Sequence, residues 1–145
     1  MLQFFLVLSK QGRTRLARYW SKYMEPTEKA QFEDDLRRRC LKNMNLGGTT
    51  FMDLGPDLKI IYRRYASLFF VVGTSRNENE LAIEEFIHSY VETLNKHFTE
   101  VCELDFVVKV EECHWILDEM CINGMVVDGS QTNALTPVAL AKKYS

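Results

Sequence analysis

Apolar positions crowd most densely between Leu58 and Gly73, where LKIIYRRYASLFFVVG is broken only at Arg63–Arg64 and Ala66–Ser67. Dense Ile, Val, Tyr and Phe without a helical repeat predicts buried strands. Lys59, Arg63 and Arg64 predict a solvated or partner-facing side for the first half, and Ala66–Ser67 predicts the connection between two strands, 58–65 and 68–74. A third strand is expected just upstream, over 49–54, with Gly55-Pro56-Asp57 as the turn.

The start of the chain repeats the pattern. Positions 1–9 predict a strand and Lys10-Gln11-Gly12 a short polar turn, where Gly is free to take positive φ. Positions 13–20 can pair back as a second strand through Leu16, Tyr19 and Trp20, although Thr-Arg-Leu-Ala-Arg also tolerates a helix. Helical spacing then takes over. After Glu25-Pro26-Thr27, Phe32, Leu36 and Cys40 recur every fourth residue on one face of a helix reaching Lys42, with acids early and bases late to suit the helix dipole. Positions 43–48 predict a loop.

Asn77 and Glu80 have the spacing of a capping box for a second helix. Along it Ile83, Phe86, Ile87, Tyr90, Val91, Leu94 and Phe98 form one apolar stripe. A third helix is expected over 104–120, burying Val107, Val110, Ile116, Leu117 and Met120, with Asn123-Gly124 closing it. Thr136-Pro137 predicts a short C-terminal helix through Lys143. The order strand–strand–helix–strand–strand–strand–helix–helix reads as an α+β sandwich: a five-stranded antiparallel sheet, joined by short links and flanked by helices.

Composition narrows the class. At 145 residues, 46% hydrophobic and 26% charged, one domain spanning 1–145 with a single substantial core is the expectation. A formal net charge of −2 gives no global reason to expect nucleic acid. The apolar run Leu2–Leu8 is interrupted by Gln3, followed by Lys10 and Arg13, and too short for a secretory core. No stretch approaches the roughly 18 apolar residues of a membrane span, so membrane association is expected to be peripheral. Cys40, Cys102, Cys113 and Cys121 contain no C-x-x-C pair and read as reduced, mostly buried thiols.

Candidate chemistry is sparse. Cys113-His114 and Asp118-Glu119 can share a helix face, but two ligands do not make a zinc site, and His88 and His97 have no matching spacing. Neither a nucleophile elbow nor a phosphate-cradling Gly-rich loop is present; Gly47-Gly48 by itself is a turn. Neither an enzyme nor a cofactor is expected. Arg37-Arg38-Arg39 point in different directions on a helix, which predicts a solvated face before a phospholipid contact. Arg13, Arg15 and Arg18 lie beside Leu16, Tyr19 and Trp20, a combination suited to a peptide both acidic and apolar.

Several co-linear blocks carry a family resemblance. Ile60-Ile61-Tyr62-Arg63, four free positions and Leu68-Phe69-Phe70 resemble the signature of clathrin-adaptor small (sigma) chains, with Phe69 where the family usually has Tyr. The opening MLQFFLVLSKQGRTRLARYW resembles the family's first hairpin, NENELAIEEFIHSYVETLNKHFTEVCELD its long helix and following link, and HWILDEMCINGMVV the end of its last long helix. The likeness covers essentially the whole chain. KQGRTRLARY, RYASLFFVVG, NENELAIEEFIH and a late Leu-Thr-Pro are most similar to the branch serving adaptor protein complex 4.

The resemblance implies a longin-like (SNARE-like) fold inside a cytoplasmic heterotetramer. Its partners would be a large epsilon-type chain, a beta-type large chain and a medium (mu) chain, peripheral on trans-Golgi network or endosomal membranes. It also implies recognition of acidic dileucine sorting peptides, in which adjacent aliphatic side chains need apolar pockets and an upstream carboxylate needs a cation. By position, Arg15 matches the arginine that receives the acid, jointly with a basic residue of the large subunit. Ala66 and Leu68 match the floor of the leucine pockets, Val91, Val101, Leu104 and Phe106 their walls, and Tyr62 lies on the same signature strand. Two departures stand out: Glu100 replaces a small polar residue beside the pocket, and Phe106 is bulkier than a common Leu. The alternatives are a sigma chain of adaptor complex 1 or 2, or a structural longin-type subunit of another coat that touches no cargo.

Overall fold

The computed structural model describes residues 2–20, 25–42, 49–53 (backbone), 58–75 and 78–126. Among them five strands form one antiparallel sheet in the order β2-β1-β5-β4-β3, from β1 (Leu2–Ser9), β2 (Thr14–Tyr19), β3 (Thr49–Asp53), β4 (Lys59–Tyr65) and β5 (Leu68–Thr74). Helix α1 (Pro26–Lys42) covers one face; α2 (Glu80–Phe98), α3 (Glu103–Val108) and α4 (Val110–Met120) cover the other.

That arrangement explains the density of the 58–73 stretch. On β5, Leu68, Phe70 and Val72 face α2, α3 and α4, while Phe69 and Val71 face α1, and every residue of the strand is buried. A strand covered on both faces loses the polar half of the period-two pattern and reads as continuous hydrophobicity. β1 divides likewise, with Phe5 and Val7 on one side and Phe4, Leu6 and Leu8 on the other. The basic residues of β4 find acids on α2: Lys59 Nζ lies 2.8 Å from Glu80 and Arg63 reaches Glu84, while Arg64 is exposed.

α1 starts with Pro26 in its first turn, where no backbone donor is lost. Leu36 and Cys40 are buried and Phe32 half-buried, packed edge-on to Phe4. Arg37 and Arg38 pair with Asp34 and Arg39 with Asp35, so the triple-arginine run is answered by acids of its own helix. Glu33 fastens α1 to the edge strand by accepting 2.6 Å hydrogen bonds from Thr14 and Tyr19.

The second half departs from expectation in three places. The cap of α2 is Asn79, whose side chain accepts from Leu81 N–H, rather than the Asn77–Glu80 pair; Asn77 lies outside the described residues. The helix expected over 104–120 is two helices, broken at Lys109 with φ −123° and ψ 41°, so Val107 is exposed rather than buried. Asn123-Gly124 forms the turn of a ribbon, β6 (Cys121–Ile122) and β7 (Met125–Val126), rather than a helix end. Both turn residues have positive φ, 50° and 81°, the geometry of a two-residue hairpin of right-handed twist. Gly124 C=O then accepts from Leu2 N–H at 2.7 Å, tying the ribbon to the start of β1. The expected loop at 43–48, the turn at Gly55-Pro56-Asp57 with Leu54 before it, and the helix at 136–143 lie outside the described residues.

Candidate functional site

Arg15 owes its position to an irregularity in the first hairpin. Val7 pairs with Leu16 and Leu8 with Thr14, which leaves Arg15 as an extra residue on β2. Such a bulge breaks the alternation and re-aims a side chain. Thr14 reaches α1, whereas Arg15 and Leu16 both turn to the opposite face, Leu16 into the core and Arg15 toward α3.

There Arg15 Nε donates to Glu103 Oε1 at 2.9 Å, with side chains 28% and 23% exposed. This hydrogen bond holds the Glu103 carboxyl below its usual range against partial burial, and the Ser9 and Ser67 hydroxyls add to it. Ser9 Oγ itself accepts from Gln11 N–H, and Lys10 N–H donates to Ser67 C=O. One carboxylate thus joins the turn after β1, the turn after β4 and the first turn of α3. Cys102 N–H, donating to Asp105 at 2.9 Å, caps that short helix.

Leu68, Val91 and Phe106 belong to the core on the same face of the sheet as this ion pair, with Val101 packed against that core. Val101 is fixed by its N–H donating to Asn95 at 2.8 Å. Leu68, Val91 and Phe106 are almost fully buried, and the Phe106 ring sits edge-on to Phe70 with centroids 6.0 Å apart, so the bulky side chain fills the core. Leu104 is 65% exposed and stands outside as part of an apolar surface with Val107 and Val108. Ala66, at φ 54°, forms the exposed β4–β5 turn next to Ser67. Tyr62 is not brought to the others: it is buried on the α1 face, edge-on to Phe69. Glu100 is exposed, just past the C-cap of α2.

Glu103 is the residue sequence reasoning missed. It stood inside the VCELD block, and its pairing with Arg15 spans 88 positions with no local signal. The other basic residues of the cluster separate, Arg18 meeting Asp118 at 3.0 Å and Arg13 lying exposed. His114 is half-buried, its proton affinity lowered by burial and by Arg18 against the pull of Asp118. Among the described residues no group of three His, Cys, Asp or Glu is placed to hold a metal ion, and no helix is long and apolar enough to cross a membrane.

The model of the clathrin adaptor complex small chain matches residues 1–145. The chain belongs to that family. It is 46% identical to the AP-4 complex subunit sigma of Arabidopsis thaliana over 98% of this chain and 97% of the relative. It is 40% identical to the human AP-4 complex subunit sigma-1 over 100% and 99%, and 38% identical to the Schizosaccharomyces pombe AP-1 complex subunit sigma-1 over 94% and 83%. The fold is similar, with a TM-score of 0.77 and 24% identity over 99% of this chain and 95% of the other, to a chain of a homology model of the full-length AP-3 complex in a stretched open conformation. In this clathrin adaptor small chain Arg15 sits on the bulge of β2, Leu68 and Val91 are buried, and Leu104 on α3 is exposed.

Proposed function

We propose that this adaptor small chain is the sigma subunit of an AP-4-type heterotetramer, acting with a large epsilon-type chain, a beta-type large chain and a medium chain. The complex sorts membrane cargo at the trans-Golgi network, and this subunit contributes the acceptor for acidic dileucine signals. The observation that carries the reading is that Arg15 turns to the α3 side of the sheet, the side whose core contains Leu68, Val91 and Phe106, which pairs a cation with an aliphatic core on one face. An acidic residue followed by two leucines presents the complementary pattern. Exposed Leu104, Val107, Val108 and Trp115 favour a large covering partner, because apolar surface of this kind marks protein interfaces.

A second reading, a structural subunit without cargo contact, is favoured by one observation. Leu68, Val91 and Phe106 are closed over, so leucine side chains gain entry only by displacing core groups. Co-purification with tagged protein comes first: recovery of an epsilon-type large chain with beta and medium partners supports the complex, and another adaptor's large chain overturns the branch. A peptide with glutamate upstream of Leu-Leu is then titrated onto the purified complex. Loss of binding in Arg15→Gln and Leu104→Ser with the complex intact supports the cargo role; no binding by wild type, or unchanged binding in both variants, supports the structural one.

A further inference from the structure

Resting on the cargo reading, we infer that Glu103 is a built-in competitor for Arg15: the subunit carries its own carboxylate where the acidic residue of a peptide must dock, and this sets both affinity and selectivity for the upstream acid. Three observations converge. Glu103 contacts the arginine through Nε at 2.9 Å, which leaves the two terminal amino groups as the edge on which a second carboxylate can form a forked pair. The Ser9 and Ser67 hydroxyls lie beside the Glu103 carboxylate and favour its charged form, which opposes its swinging away from Arg15. Both side chains are about a quarter exposed, close enough to solvent for a peptide to reach them.

An incoming carboxylate therefore meets a guanidinium whose charge is largely cancelled, with a fixed like charge beside it. Like charges a few ångströms apart at a partly exposed site weaken binding severalfold. The orienting hydrogen bond and the cancelling charge are separable, because glutamine keeps one oxygen for Arg15 Nε, and its amide N–H can donate to a serine hydroxyl, while the charge is removed.

The test uses the purified heterotetramer carrying wild-type chain or Glu103→Gln and two peptides, one with glutamate and one with glutamine upstream of Leu-Leu. We expect Glu103→Gln to bind the glutamate peptide roughly three- to tenfold tighter than wild type. The glutamine peptide should gain little, so preference for the acid widens, and added salt should weaken the glutamate peptide more steeply in the variant. Equal affinity, weaker binding in the variant, or an equal gain for both peptides overturns the inference. If wild type binds and Leu104→Ser abolishes binding while Glu103→Gln changes nothing, the competitor role falls and the cargo site stands. If neither protein binds either peptide, the cargo reading falls and the competitor role with it.

Discussion

The Phe4 ring on β1 occupies the space that a side chain on Gly73, its register partner on β5, would fill. A Cβ built at Gly73 would overlap the ring atoms, which explains why a glycine ends the densest apolar run of the chain. The ring is held in turn by Phe32, edge-on at 5.3 Å between centroids, and by Tyr19 at 5.9 Å. Gly73→Ala is thus expected to destabilise by about 1–3 kcal/mol through overpacking. Thermal unfolding checks it, and Phe4→Leu should recover part of the loss in the double variant.

Across the sheet, Tyr90 is fully buried and its hydroxyl donates to Cys113 C=O at 2.9 Å, linking α2 to α4. The same ring packs against Phe5 and Phe70. Tyr90→Phe keeps those ring contacts and removes only the link. The expected cost is about 1 kcal/mol, read as a shift in the urea unfolding midpoint at unchanged slope.

The thiols should divide by burial. Burial pushes Cys40 and Cys113 up to about 12 and Cys121 up to about 11, whereas Cys102 is exposed. Since the thiolate is the reactive form, a thiol reagent at neutral pH should label one cysteine per folded chain, Cys102, and all of them after unfolding. Mass mapping of the labelled peptide checks this; fast labelling of Cys113 in the folded protein would contradict the packing described.

Acid should act through Glu103. Its carboxyl titrates below the ordinary range in the folded chain, chiefly through the Arg15 hydrogen bond. A depressed carboxyl contributes stability that is complete above the unfolded value and is lost as pH falls through the folded one. Wild type should therefore lose more stability than Glu103→Gln between about pH 5 and pH 3. Parallel acid limbs for the two proteins would show that the ion pair contributes nothing to folding.

The strands, the stripe of α2 and the helix beginning at Pro26 were legible in the sequence because each follows from local periodicity: residues buried on one face recur at the period of their own backbone. The strand pair at 58–74 was legible for a related reason, since burial of β5 on both faces leaves Leu68 to Gly73 without a polar position. The break at Lys109 was not, because 104–120 has apolar residues enough for one helix and the pattern does not register a backbone turn in their midst. Nor was the Asn123-Gly124 hairpin, where the same two residues suit a helix end as well as a turn.

The candidate site divides the same way. The residue types can be read along the chain: arginines beside apolar groups in the first hairpin, and the small-chain blocks that contain Leu68, Val91 and Phe106. Which of them meet depends on how the strands and helices dock. A single extra residue on β2 turned Arg15 to the α3 face, the alternation of β4 sent Tyr62 to the other side of the sheet, and Glu103, 88 positions away, came to rest on the arginine. The physical reason is that hydrophobic periodicity is written between near neighbours, whereas a charge pair across the chain depends on how whole elements dock, which no local pattern encodes.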